Sequence, residues 1–113
     1  MTNPDDDAPF ELDRVELVLL KRPEVREEIP DAEAERLQAA HLSHLAAMRA
    51  AGHMRAAGPV DEQPDPSLRG LCLYRTGSLE RARELAESDP AVIAGRLSVE
   101  VMYWYFPKGD VEL

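Results

Sequence analysis

The spacing of apolar residues switches from strand-like to helix-like and back, twice, along one short chain, and this succession restricts the available folds more than any single motif. In the run Arg14 to Lys21, Val15, Leu17 and Leu19 share one face while Glu16, Val18 and Leu20 share the other, which predicts a strand. Pro23 and Pro30 bracket its exit. Asp31 is then the expected N-cap of a helix of about five turns, with Glu33 and Glu35 at the positive end of its dipole and Gly52 as its stop. His53 to Ala57 forms a short second strand leading into a Gly58-Pro59 turn. The polar segment Val60 to Leu68, broken by Pro64 and Pro66, reads as a loop, and Gly70 to Arg75 as a third strand. Ser78 caps a second helix with Leu79, Ala82, Arg83 and Ala86 on one face, and Leu97 to Phe106 is the last strand. The order is βαββαβ. It predicts an α+β fold, a ferredoxin-like sandwich in which two helices cover one face of a four-stranded antiparallel sheet.

Two helices leave the other face open. Yet the last strand is apolar on both sides, with Val99, Val101, Tyr103 and Tyr105 on one and Met102, Trp104 and Phe106 on the other, and the first strand is nearly so. A bare face of this kind exposes several hundred Å² of contiguous apolar surface, more than a monomer usually leaves in water. Homodimerisation through the sheets, closing a two-chain α/β barrel, is therefore expected. Glu16 and Glu100 interrupt the pattern; they are expected to reach solvent from strand ends, with a role lining a dimer cavity as the alternative.

At 113 residues the chain holds one core, assigned to residues 13–107, flanked by an acidic tail over 1–12 and a short tail over 108–113. The formal charge of −9 repels phosphate backbones and anionic lipid surfaces, so neither nucleic acid nor membrane is an expected partner. No apolar run approaches the roughly 18 residues of a spanning helix. Asp5, Asp6 and Asp7 stand where a signal peptide carries positive charge, and the single cysteine cannot form an internal bridge. A reduced, cytoplasmic protein is the expectation.

Ala34, Leu37, Ala40, His41, His44, Leu45, Met48 and Ala51 fall in one stripe of the first helix, so two imidazoles point toward the core. A histidine so placed must find a hydrogen-bond partner or keep a route to water. Asp89 precedes Pro90 and opens a turn closed by Gly95, the arrangement of an N-capping carboxylate with proline at the first helical position. Such a carboxylate, facing an imidazole, fixes the ring's tautomer. Zinc wants three or four protein ligands, and His41, His44 and His53 have no Cys or Glu at matching helical spacing, so no metal is expected. His44 is read as a core-edge histidine bonded to backbone or solvent, and His53 as a surface residue. Cys72, between Leu71 and Leu73, is read as a buried, inert thiol. No glycine-rich nucleotide loop follows a strand, which argues against hydride transfer and leaves no expected cofactor.

The run His41-Leu42-Ser43-His44-Leu45, Gly52 eleven residues after His41, Ala57-Gly58-Pro59, and Asp89-Pro90-Ala91-Val92-Ile93-Ala94-Gly95 together resemble the YciI-like (YCII-related) family of small bacterial proteins over roughly residues 14–106. The resemblance implies a ferredoxin-like fold assembled as a dimeric α/β barrel, with His41 and Asp89 at the family's proposed His-Asp dyad positions. Its few assigned enzymes act on small organic molecules, one of them a dehydrochlorinase of chlorinated hydroquinones. This chain departs from the pattern in the two extra prolines of the loop Val60 to Leu68 and in Ala91, where many relatives place an aromatic. On the enzyme reading His41 is the general acid or base, Asp89 orients it, and Gly58, Pro59, Arg75 and Pro90 contact a small-molecule substrate, with the loop from Val60 as a lid. Elimination, isomerisation and lyase chemistry all fit these groups. The other reading is a dimeric module that binds a small molecule without turnover.

Overall fold

A computed structural model describes residues 11–112. The elements are β1 (Leu12–Lys21), α1 (Asp31–Ala50), β2 (Met54–Pro59), β3 (Leu68–Tyr74), α2 (Leu79–Glu87), the single turn α3 (Pro90–Ile93) and β4 (Ser98–Pro107). Most of the expected acidic tail, residues 1–10, lies outside the described residues. The strands run β2-β3-β1-β4 with every neighbouring pair antiparallel. Each helical crossover therefore skips one strand, which is the ferredoxin-like arrangement expected from the βαββαβ order.

Helix α1 begins differently from expectation. Its N-cap is Pro30 and no side chain caps it, so Asp31 is the first helical residue and serves only the dipole. The proline ring holds φ at −59° with ψ at 149°, and the Pro30 carbonyl accepts from the Glu33 and Ala34 amides, which sets the entry without a carboxylate. The other end follows the sequence. Gly52 takes φ +81°, its N–H donates to Arg49 O and that of His53 to Met48 O, the paired bonds of a Schellman motif. Ser78 caps α2 by accepting from the Arg81 amide at 3.1 Å.

The core lies between the sheet and its helices. Val18 and Leu20 of β1, Met54 of β2, and Cys72 and Tyr74 of β3 pack against Ala82, Leu85 and Ala86 of α2. Helix α2 sits over β4 and β1, whereas α1 rests on β2 and α3. That division leaves space beneath α1. Glu16, expected to reach solvent, is instead buried on the helix-covered face, where Oε1 accepts from the Thr76 amide at 2.7 Å and from the Thr76 hydroxyl. Alternation groups Glu16 with Val18 and Leu20, and the turn before α2 supplies the donors that make its burial on their face tolerable.

The opposite sheet face carries Leu17 and Leu19 of β1, Leu71 and Leu73 of β3, and Met102 and Trp104 of β4. Trp104 remains 42% exposed although its ring meets Phe106 edge-on at 5.2 Å, and Met102 is 39% exposed. Among the described residues no helix is long and apolar enough to cross a membrane.

Gly58 and Pro59 end strand β2 and do not form a turn. The close approach is set at the facing strand, because a Cβ at Gly70 would stand 2.9 Å from the Gly58 carbonyl oxygen. Neither backbone can yield without parting β2 from β3. Gly70→Ala is therefore expected to lower the melting temperature by about 5–15 °C in thermal denaturation, as overpacking costs about 1–3 kcal/mol in a domain of this size. Gly58→Ala meets no atom within 4 Å and serves as the control.

Candidate active site

Helix α1 buries only Leu37 and His41 fully, and these face the sheet one turn apart. The imidazole reaches across to α3, where Asp89 waits as N-cap. Asp89 Oδ1 accepts from the Ala91 amide at 2.9 Å, and His41 Nδ1 lies 2.5 Å from Oδ2. Both side chains are nearly sealed, at 11% and 2% exposure. An ionised carboxylate can only accept, so the Nδ1 proton belongs to this bond, and in the neutral ring Nε2 then carries the lone pair. Nε2 has no protein partner among the described residues, and His41 lines a cavity of about 670 Å³.

The cavity occupies the gap between α1 and the β2–β3 side of the sheet. Its walls are mostly apolar, with Leu20, Leu37, Leu45, Ala57 and Leu97 among them. Gly58 and Pro59 line it. Arg75 and Pro90 do not. Arg75 follows β3 and pairs with Asp13 at 3.5 Å, so its charge is already engaged away from the cavity; Pro90 serves as the first residue of α3 while Ala91 forms the wall. The loop expected to act as a lid contributes no lining residue between 60 and 68. Its own side chains brace it: Asp65 Oδ1 accepts from the Ser67 amide and hydroxyl, and Gln63 Nε2 donates to Asp65 O at 2.7 Å.

His44, expected to bond backbone or solvent, has Nε2 buried without a partner among the described residues. His53 precedes β2 and its carbonyl accepts from the Arg75 amide at 2.9 Å. Among the described residues, no three of His, Cys, Asp and Glu converge as a metal-ligand set. Cys72 is the buried thiol the sequence suggested. Burial first, and the Asp89 charge second, push its pKa up to about 12, so it stays a thiol and is a poor nucleophile at neutral pH. The Tyr74 phenol is pushed up by the same burial, with the Asp89 charge adding to it.

Four arginines on the cavity wall escaped the sequence reading: Arg26, Arg49, Arg69 and Arg96. Arg69 shows why. Lys21 pairs with Leu68 and Leu20 with Gly70, so Arg69 is the extra residue of a β-bulge. Simple alternation assigns it to the open face, and only the bulge turns it to the cavity.

The 5-chloro-2-hydroxyhydroquinone dehydrochlorinase of Burkholderia phenoliruptrix, solved in complex with 2,5-dihydroxybenzoquinone, is similar in structure with a TM-score of 0.52. The two are 23% identical, and the match covers 80% of this chain and 92% of that one. No curated protein matches the chain in sequence. The model of the YCII-related domain matches residues 16–105, which reach into all four strands and include the cavity-lining residues and both members of the His41–Asp89 pair. The protein thus belongs to the YCII-related domain family.

Proposed function

We propose that this protein is a small-molecule enzyme of acid–base type, catalysing elimination or isomerisation, and that it works as a homodimer. The observation that carries the reading is the short His41–Asp89 bond at the wall of a cavity large enough for a small organic ligand. With Nδ1–H held by Asp89, Nε2 is the proton acceptor toward the cavity, and the carboxylate stabilises the imidazolium once the proton has moved. In an elimination, Nε2 takes a proton from a carbon made acidic by an adjacent carbonyl; the electron pair forms the new double bond and the leaving group departs with its own pair. An isomerisation returns the proton to a different atom. Gly58 and Pro59 form part of the wall against which substrate would rest. The structural neighbour is named for a dehydrochlorination, which is an elimination of this kind.

The dimer reading rests on the open sheet face, whose leucines and exposed Trp104 and Met102 lie opposite the helices. The enzymatic reading is tested by incubating the protein in deuterium oxide with chlorinated hydroxyhydroquinones and with cyclic ketones. Chloride release or deuterium incorporation above the His41→Asn background is the expected result. Wild-type protein that never exceeds that background on such substrates would overturn the assignment in favour of a binding module.

A further inference from the structure

Net charge and local charge disagree in this protein. The chain carries 22 acidic against 13 basic side chains, and among the described residues six of the cations away from the cavity pair with carboxylates, Lys21 with Asp65 and Glu100, Arg36 with Glu33, Arg75 with Asp13, Arg81 with Glu84, Arg83 with Glu87 and Lys108 with Glu11, while Arg14, Arg22 and Arg55 do not. None of the cavity-lining arginines lies within 4 Å of a carboxylate among the described residues. Three of them, from three separate parts of the chain, form one group. Arg26 comes from the β1–α1 connection, Arg69 from the bulge of β3, and Arg96 from the segment between α3 and β4.

This grouping is held together by main-chain bonds and opposed by its charges. Arg26 Nη1 donates to Arg96 O at 3.3 Å, and Arg96 Nη1 donates to Glu27 O at 2.7 Å, so the two connections are tied into one wall. Burial, followed by the like charges of Arg22, Arg96 and Arg69, depresses the Arg26 pKa. A wall of mutually repelling guanidinium groups is an anion site awaiting its anion, since each offers a planar fork of donors suited to carboxylate or phosphate oxygens.

We propose that the molecule taken by this cavity is a small organic anion: a carboxylate or phosphate group held by Arg26, Arg69 and Arg96, with an apolar body lying along the leucine-lined wall beside His41. The inference rests on the cavity being the substrate site, as argued above, and narrows the substrate to the anionic class. It also separates this protein from a site built for neutral hydroxylated rings alone.

The test is a binding comparison that needs no turnover. 2,5-Dihydroxybenzoate, its neutral amide 2,5-dihydroxybenzamide, and phenyl phosphate are titrated into the full-length protein by calorimetry at low and high salt. Either anion is expected to bind about tenfold or more tightly than the amide, with the preference shrinking as salt rises. A preference for phenyl phosphate assigns a phosphate ligand, and one for the benzoate assigns a carboxylate. The double variant Arg26→Gln/Arg69→Gln should lose the preference with little change in melting temperature, because the relief of repulsion offsets the lost Arg26–Arg96 O bond and no ion pair is broken. Exposed Arg55→Gln should retain it. Equal binding of anion and amide, failure of all three to bind, or an unchanged preference in the double variant each overturns the proposal. The acid–base reading stands or falls separately: His41→Asn should leave the anion preference intact, and turnover confined to neutral substrates would sink the anion site alone.

Discussion

His41→Asn is expected to cut kcat/KM by about 10²–10⁴ on any substrate the protein turns over, with the melting temperature nearly unchanged. The asparagine amide stands where Nδ1 stood and can still donate to Asp89 Oδ2, so the buried carboxylate keeps its partner. What disappears is Nε2. His41→Ala removes both and leaves a carboxylate of 2% exposure facing an empty space, so its activity loss should come with a marked loss of stability. Asp89→Asn makes the complementary point. The amide oxygen can keep the cap bond from the Ala91 amide, and the amide nitrogen must then donate to Nδ1. The ring proton moves to Nε2, and the atom facing the cavity changes from acceptor to donor. Activity should fall by a similar factor in a folded protein, and the imidazole nitrogen shifts in NMR should report the exchanged tautomer. Full activity in folded His41→Asn would remove the imidazole from the chemistry.

The second large effect concerns the sheet face opposite the helices. Wild-type protein is expected to sediment at twice its 12.6 kDa chain mass at micromolar concentration. Leu17→Asp and Trp104→Asp each place a carboxylate in the middle of that apolar face, at register positions two residues apart on neighbouring strands. Burying an unpaired charge there should weaken association by about a hundredfold or more. Because both side chains lie away from the helix-packed core, the variants should still fold as monomers. Sedimentation of wild type at one chain mass, or of both variants as dimers, would reject the proposed sheet-to-sheet assembly.

The architecture was legible because its signals are local and repeated. Gly52 and Gly95 stop helices through positive φ, Ser78 and Asp89 cap them, and the alternation in β1 groups Val18 with Leu20 on one face, the one the helices cover. The His41–Asp89 contact, 48 residues apart in sequence, was also within reach, since each residue carried its own local oddity: an imidazole in an apolar stripe and a carboxylate opening a turn. The anion wall was not. Arg75 drew attention as a strand-end cation, yet Asp13 already holds it, and this pairing depends on how β1 and β3 are registered. Arg69 needed a bulge that no alternation reveals, while Arg26 and Arg96 sit in irregular connections whose direction is set by tertiary hydrogen bonds. Helix α1 starts one residue earlier than its capping signal suggests, with Pro30 at the cap and Asp31 already helical.

Asp89 divides its two oxygens between its own turn and a remote helix, and this has a mechanical consequence. One oxygen anchors the carboxylate in place, so it cannot swivel to follow the ring. The imidazole, in contrast, rides on twenty residues of stiff rod whose main footing is β2 and α3. Any rocking of that rod is read out first as a stretch between Nδ1 and Oδ2. A guest that wedges under the rod and one that clamps it down would thus change the Nδ1–Oδ2 separation in opposite directions.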